Sequence, residues 1–317
     1  MAKQHTVAPA GPPRVSRPKI QNLISKRSWA SIKSNWLGHL PIFGDPGLPP
    51  APGVEELPAW DQLALPVSPQ NRQRYPDVQG LRQNALAEGV FLFHKCTHAH
   101  LATHRIGTTG MHSWSLFNAY HSAYLGARGI LTLLGVSLPS VRGQLLIDIF
   151  DEPETQKMVN AIKEGRATFT EFLLVRFGNN FDQQEVWELL QRALRQTDAA
   201  CLAVPWKDEL LDISFDTNTK PRNAFLYHPA FWPLDDLLND GAAADYLVLC
   251  GDDLDTTRKG FLMRLNFIVC RLFELLMDDL AGESNVIRDQ VSPSRILRDP
   301  GHVTLASYNQ FLADAIV

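Results

Sequence analysis

The sequence predicts an all-α fold, a helical bundle preceded by a proline-rich extended region. Two observations support this prediction. Most of the 21 prolines lie between Pro9 and Pro76, where runs such as residues 47–53 cannot propagate a helix because proline lacks a backbone donor. From residue 81 onward prolines become rare, and apolar residues recur at the three- and four-residue intervals of a helix.

The N-terminal region, residues 1–80, is predicted to be an extended and partly disordered extension. Within residues 20–40, Trp29, Ile32, Trp36 and Leu40 have helical spacing, so a short helix is expected to dock there on the body of the protein. Residues 1–44 contain seven Lys or Arg residues and no acidic residue. They form a basic arm, either a solvated tail or a segment that touches RNA or an acidic partner.

A helical hairpin is predicted next, with one helix over residues 81–106 and a second over residues 112–135. The glycines of the intervening Gly-Thr-Thr-Gly suit a turn, and Gly135 suits the end of the second helix. In that helix an apolar stripe steps by three and four residues. Its members are Phe117, Tyr120, Tyr124, Ala127, Leu131 and Leu134.

Shorter helices are predicted over residues 140–150, 154–164 and 168–177. Longer ones are predicted over residues 182–200, opened by a capping-box-like Asp-Gln-Gln-Glu, and over residues 254–280. The latter places Phe261, Leu265, Ile268, Leu272 and Leu276 on one face. No ladder of strands is predicted apart from an ambiguous run at residues 246–250, and residues 285–317 are expected to form a loop and a closing helix over 305–316.

Composition excludes several classes of protein. A formal net charge of −4 argues against a globally basic, non-specific nucleic-acid binder, and no apolar run approaches the ~20 residues that cross a bilayer. The N-terminus shows no secretory signal pattern. Four widely spaced cysteines indicate neither a disulfide framework nor a zinc ribbon, so a reducing cytoplasm is the expected location.

Two groups of side chains on the predicted hairpin are candidates for function. One is a potential zinc-binding set, although a single helix cannot wrap all of its members around one ion; it comprises His94, Cys96, His98, His100 and His104. The other is the polar side of the second helix, where His121 and Arg128 are seven residues apart and therefore share a face. Both groups also fit ordinary surface or packing positions.

The third candidate combines Arg222, Asn223 and His228. A metal-independent ribonuclease needs a group that titrates near neutrality to move protons at the 2′-hydroxyl and the leaving oxygen, and histidine supplies it. It also needs a fixed cation beside the developing phosphorane charge, which arginine provides. Asn223 is suited to position the phosphate. Pro229 disfavours α conformation at His228, so a helix is expected to stop there.

An arginine, a polar neighbour and a histidine a few residues later, together with the Tyr- and Ala-rich helix around Tyr120, resemble the HEPN superfamily. The resemblance covers about residues 81–240 and leaves 241–317 as C-terminal helices. It implies an α-helical ribonuclease in which Arg222 stabilises the phosphate and His228 is the general acid or base. It also implies a homodimer whose two motifs line one cleft.

The sequence therefore predicts a metal-independent RNA endonuclease of a bacterial defence or toxin–antitoxin system, with RNA as substrate and an antitoxin or defence-complex protein as a further partner. Neither a metal ion nor a cofactor is expected, and no membrane association. Catalysis is assigned to Arg222, Asn223 and His228, and substrate binding to His121, Arg128 and Tyr227. Two alternatives are a non-catalytic helical module that binds RNA or protein, and a metal-dependent hydrolase using the residues from His94 to His104.

Overall fold

Helices dominate the computed structural model, which describes residues 23–38, 40, 72–77, 80–107, 112–138, 145–150, 171–176, 183–215 and 258–296. Seven α-helices, six short strands and a 3₁₀ turn lie in these residues. In chain order they are β1 (Arg27–Ser28), α1 (Trp29–Leu37), β2 (Arg72–Pro76), α2 (Leu81–Gly107), α3 (His112–Leu133), β3 (Val136–Ser137), β4 (Leu145–Asp148), β5 (Glu171–Arg176), α4 (Gln183–Gln196), β6 (Thr197–Asp198), the 3₁₀ turn (Ala200–Leu202), α5 (Pro205–Asp212), α6 (Arg258–Gly282) and α7 (Asn285–Ile296).

The predicted hairpin is confirmed as the antiparallel pair α2 and α3. At one end Ser115 Oγ donates to the carbonyl oxygen of Thr103 at 2.6 Å, and at the other end Gly89 lies against Leu133. Helix α3 ends as predicted, because Gly135 adopts a φ of +88° and its N–H bonds to the carbonyl of Thr132.

The buried face of α3 is wider than the predicted stripe. Phe117 and Tyr124 are only half-buried, whereas Ala119 and Ala123 are fully buried. The reason is that three helices, α2, α4 and α6, pack around α3. The small side chains therefore form the centre of the buried surface.

Glycine residues on α3 allow α6 to approach closely. A Cβ at Gly126 would lie 2.7 Å from Val269, and one at Gly129 would lie 2.2 Å from the ring of Phe273. The later glycine of α3 contacts the later residue of α6, so the residue numbers of the two helices increase in the same direction. Helices α3 and α6 therefore run parallel. The predicted apolar face of α6 is confirmed by four buried residues, Leu265, Ile268, Leu272 and Leu276; the side chain of Phe261 is not among those described.

A four-stranded antiparallel sheet in the order β2-β5-β4-β3 corrects the predicted absence of strands. The helices predicted over residues 140–150 and 168–177 are wrong where β4 and β5 lie. Leu146 and Ile147 of β4 and residues 172–175 of β5 are buried, and a short continuous apolar run fits a core strand as well as a helix. Residues 154–164 and 246–250 lie outside the described residues.

Two segments of the N-terminal region that was predicted to be extended and partly disordered belong to the folded body, residues 23–38 and 72–77. The expected short helix is confirmed as α1, with Trp29, Ile32 and Trp36 buried. Strand β2 pairs with β5. The Arg27 guanidinium reaches Asp148 of β4 through two hydrogen bonds of 3.0 and 2.6 Å, and both side chains are buried.

Helix α7 corrects the loop predicted from residue 285. Its Ile287 and Val291 are buried, because α7 packs on α6 and α2, and the helix continues through Pro293 to Ile296. The closing helix predicted over 305–316 lies outside the described residues. Among the helices described, none is both long enough and apolar enough to cross a membrane.

Candidate functional site

The predicted catalytic residues Arg222, Asn223 and His228, and Tyr227 beside them, lie outside the described residues. The segment 216–257 that carries them leaves the described structure at Phe215 and rejoins it at Arg258. Phe215 stacks on Trp187 with ring centroids 4.8 Å apart, and Trp187 in turn packs on Tyr120 and Tyr124 of α3. Phe215, the last described residue before the segment, therefore lies beside Trp187, which packs on the middle of α3.

The other end of this segment returns to the same part of the molecule. Helix α6 is parallel to α3, and its Val269 lies level with Gly126. Arg258 is three helical turns before Val269, so it is level with the start of α3. Both attachment points of the segment thus lie near the N-terminal half of α3.

Three rings follow one another along the outer side of this half of α3, and we call them the aromatic strip: Trp114, Phe117 and His121. Trp114 and Phe117 pack edge to face with centroids 5.9 Å apart, and Phe117 stacks on His121 at 6.1 Å with a 7° interplanar angle. Trp114 is 46% exposed and His121 is exposed, whereas an amphipathic helix normally buries its large rings. The predicted candidate His121 is therefore part of an exposed aromatic surface.

Arg128 shares this side of α3 but has structural contacts of its own. Its Nη2 donates to the carbonyl oxygen of Leu138 at 3.2 Å and lies 3.6 Å from Glu88 Oε1. It lies two turns from His121, about 10 Å along the helix axis. The structure therefore places the two predicted binding residues on one face, and it gives Arg128 a role in holding the far end of the hairpin.

The hairpin is positively charged although the whole chain is acidic. Residues 89–147 contain no Asp or Glu, while the formal net charge of the chain is −4. Lys95, His98 and Arg105 are exposed on α2. Because Thr103 contacts Ser115, Arg105 and Trp114 lie at the same end of the hairpin. This part of the hairpin therefore combines exposed aromatic rings with a cationic side chain and has no carboxylate between residues 89 and 147. Such a surface favours the binding of polyanions.

A chain of buried polar side chains lies beneath this surface, and we call it the buried polar network. Its members are Cys96, His100, His104, Ser122, Asn266 and Cys270. The histidines were candidates from the sequence, whereas Asn266 and the role of the cysteines were not predicted. Polar residues at the core-facing positions of α3 and α6 were the sequence feature that could have indicated a buried network.

The hydrogen bonds of this network from Cys270 to His104 assign a donor and an acceptor to each contact. The Cys270 thiol donates to Asn266 Oδ1 at 3.2 Å, and Asn266 Nδ2 lies 2.9 Å from His100 Nδ1. Since an amide nitrogen only donates, His100 accepts at Nδ1 and carries its proton on Nε2, which lies 3.3 Å from His104 Nε2. Both imidazoles are therefore neutral in this arrangement.

The zinc-site alternative receives no support from this geometry. His94 Nδ1 lies 2.5 Å from Ser294 Oγ, His98 is exposed, and His100 and His104 are bonded to each other. Within the described ranges, no three His, Cys, Asp or Glu side chains are grouped so as to hold a metal ion.

Acidification is expected to destabilise the fold through His104. Burial, together with the neighbouring His100, lowers the pKa of His104 well below its ordinary value. Below about pH 6.5 the unfolded chain therefore binds a proton that the folded chain does not. As the pH is lowered, the free energy of unfolding decreases by up to ~1.4 kcal/mol per pH unit. Urea unfolding of wild type and His104→Gln at pH 5, 6 and 7 measures this slope.

The slope should be smaller in His104→Gln than in wild type. Replacement of the exposed His98 by Gln is the matched control on the same helix and should leave the slope unchanged. Equal slopes for wild type and His104→Gln would contradict the assignment.

Comparison with family models, with curated proteins and with solved structures finds no match for this chain.

Proposed function

We propose that this protein is a metal-independent RNA endonuclease with a HEPN-like helical domain, and that the aromatic strip binds the unpaired bases of its RNA substrate. The observation that carries the proposal is the pair of exposed rings of Trp114 and His121, joined through the half-buried ring of Phe117, on a hairpin that has no acidic residue between positions 89 and 147.

Base stacking explains why a protein would keep these rings in solvent. Every nucleobase has a π face, and stacking a base on an aromatic side chain contributes about 1–3 kcal/mol whatever the base. Trp114 and His121 offer such faces on one side of α3, and Arg105 at the same end supplies a charge for the phosphates. Duplex RNA keeps its bases stacked on each other, so single-stranded RNA is the preferred ligand.

Cleavage is assigned to Arg222, Asn223 and His228. In the proposed reaction the 2′-oxygen attacks phosphorus and the bond to the 5′-oxygen breaks, with His228 moving the proton and Arg222 stabilising the phosphorane. Support comes from the chain itself, because the segment that carries these residues is attached at both ends near the N-terminal half of α3, where the aromatic strip lies.

The HEPN resemblance extends the proposal to the assembly. We expect a homodimer in which two motifs line one cleft, and restraint of the activity by an antitoxin or defence-complex protein. The runner-up, a helical module that binds RNA without cutting it, shares the aromatic strip and differs only at His228. Binding and cleavage therefore need separate measurements.

Removing a ring or a charge from the surface is expected to weaken RNA binding in different ways. Trp114→Ala should raise the Kd for single-stranded RNA about 5- to 100-fold, since one stacked base is lost. Arg105→Ala should reduce the slope of log affinity against log salt by about 0.7, since one phosphate contact is lost. Fluorescence anisotropy with a labelled single-stranded RNA at several salt concentrations measures both, in a His228→Ala background that leaves the probe intact.

Two substitutions serve as matched controls. Phe91→Ala removes a ring that is 54% exposed at the opposite end of the hairpin, and Arg288→Ala removes an exposed arginine from α7. Both should bind RNA like the parent protein. Two outcomes would reject the aromatic strip as the RNA surface. One is an equal loss of RNA affinity in Phe91→Ala and Trp114→Ala, and the other is unchanged RNA binding in both Trp114→Ala and Arg105→Ala.

A further inference from the structure

The thiols of Cys96 and Cys270 lie 3.4 Å apart in the core, where α2, α3 and α6 meet. Both side chains are buried, and both residues carry free thiols. The residues are distant in sequence, so spacing alone indicated no pairing. Folding brings together two sulfur atoms that need to move about 1.4 Å closer to reach disulfide bonding distance.

Neighbouring groups hold the two sulfurs toward each other. Ser122 Oγ lies 3.3 Å from Cys270 Sγ and 3.7 Å from Cys96 Sγ, so one hydroxyl touches both. The absence of a side chain at Gly126 leaves room beside the pair, because a Cβ there would lie 3.0 Å from Cys96 Sγ. The position of each sulfur is therefore defined by contacts on α3 as well as on its own helix.

We infer that Cys96 and Cys270 form an oxidation site that takes up a disulfide and covalently links α2 to α6. With hydrogen peroxide as oxidant, one sulfur attacks a peroxide oxygen, the O–O bond breaks, and the thiol proton leaves with the other oxygen as water. The second sulfur then attacks the resulting sulfenic acid. The S–O bond breaks, and the departing hydroxide takes the second thiol proton to form a second water.

A disulfide between α2 and α6 closes a long loop of chain, which constrains the unfolded state most strongly. Oxidation is accordingly expected to raise Tm by on the order of 5–10 °C, reversibly on reduction.

Thiol counting on the folded full-length chain tests the inference. The protein is treated with hydrogen peroxide in chelator, quenched with catalase, unfolded in guanidinium and alkylated with N-ethylmaleimide. Wild type has four cysteines and should carry two labels fewer than the untreated protein, with a Cys96–Cys270 peptide found by mass spectrometry. Cys201→Ser should also lose two labels, whereas Cys96→Ser and Cys270→Ala should lose none.

Wild-type protein provides the decisive result even if a core variant fails to fold. Retention of all four labels after peroxide treatment would overturn the inference. So would a disulfide that joins Cys201 or Cys250 in place of the predicted pair. A rise in Tm that survives addition of a thiol reductant would show that another modification is responsible, and would likewise overturn it.

Discussion

Replacement of His228 by alanine is expected to lower the rate of RNA cleavage in EDTA at least 100-fold. Removing a general acid or base typically costs two to four orders of magnitude, and the proposed mechanism has no metal ion to compensate for the loss. Arg222→Ala should lower the rate to a similar extent, because the phosphorane loses its counter-charge. Initial rates on a 5′-labelled single-stranded RNA, compared at equal concentrations of folded protein, give the ratio.

Binding should survive the loss of His228. The His228→Ala variant is expected to hold RNA with a Kd within about threefold of wild type, since stacking on Trp114 is unchanged. His98→Ala removes an exposed histidine of α2 and serves as the activity control. Full activity of His228→Ala would contradict the assigned chemistry, because cleavage would then not depend on His228, whereas RNA binding without cleavage by wild type would support the binding module.

Replacement of Asp148 by alanine is expected to lower the free energy of unfolding by about 3–5 kcal/mol. The reason is that Arg27 remains buried without its partner, and an uncompensated buried charge costs that much. Asp148 Oδ1 and Oδ2 accept from the two guanidinium nitrogens, and Asp148 also accepts from the N–H of Phe150 at 3.1 Å. Urea unfolding followed by circular dichroism measures the loss.

Apolar replacement of both partners distinguishes a buried charge from a simple packing defect. The double variant Arg27→Met with Asp148→Leu should recover most of the lost stability, since no charge is left in the core. Glu171→Ala breaks the exposed pair with Arg74, 3.9 Å long, and should cost less than about 1 kcal/mol. A loss of that small size in Asp148→Ala would mean that residues 23–28 are not part of the folded body.

The long helices were predictable because each repeats its pattern over many turns. Residues 81–106 and 112–135 carried both an apolar period and a glycine-rich turn, and the structure places helices there with ends within a few residues. Helix α6 was found for the same reason. The width of the buried α3 face was underestimated, because the predicted stripe did not include the fully buried Ala119 and Ala123.

Strands β4 and β5 were not predictable from the same evidence. A run of four to six apolar residues satisfies a helix or a buried strand equally, and only the pairing of β2 with β5 and of β5 with β4 decides between them. The first pairing joins residues about 100 positions apart, such as Tyr75 and Phe172, and the second joins residues 25 to 31 positions apart. The local pattern of a single sequence does not show which strands pair.

The candidate site was predictable only in part. His121 was selected for its position on a polar face, whereas its stacking on Phe117, which in turn contacts Trp114, is seen only in the structure. The contact of Cys96 with Cys270 and the link from Asn266 to His100 join separate helices, so no spacing rule finds them. The roles of Arg222, Asn223 and His228 remain predictions from their chemistry and from the HEPN resemblance.

The most direct test of the proposed function is the chemical nature of the RNA ends produced in EDTA. Wild-type protein should release fragments with a 2′,3′-cyclic phosphate on one side and a 5′-hydroxyl on the other, because the 2′-oxygen is the nucleophile and His228 moves its proton. His228→Ala, prepared in parallel, should release none, which excludes a contaminating nuclease. Fragments that carry a 5′-phosphate, or cleavage that requires an added metal ion, would contradict the proposed mechanism.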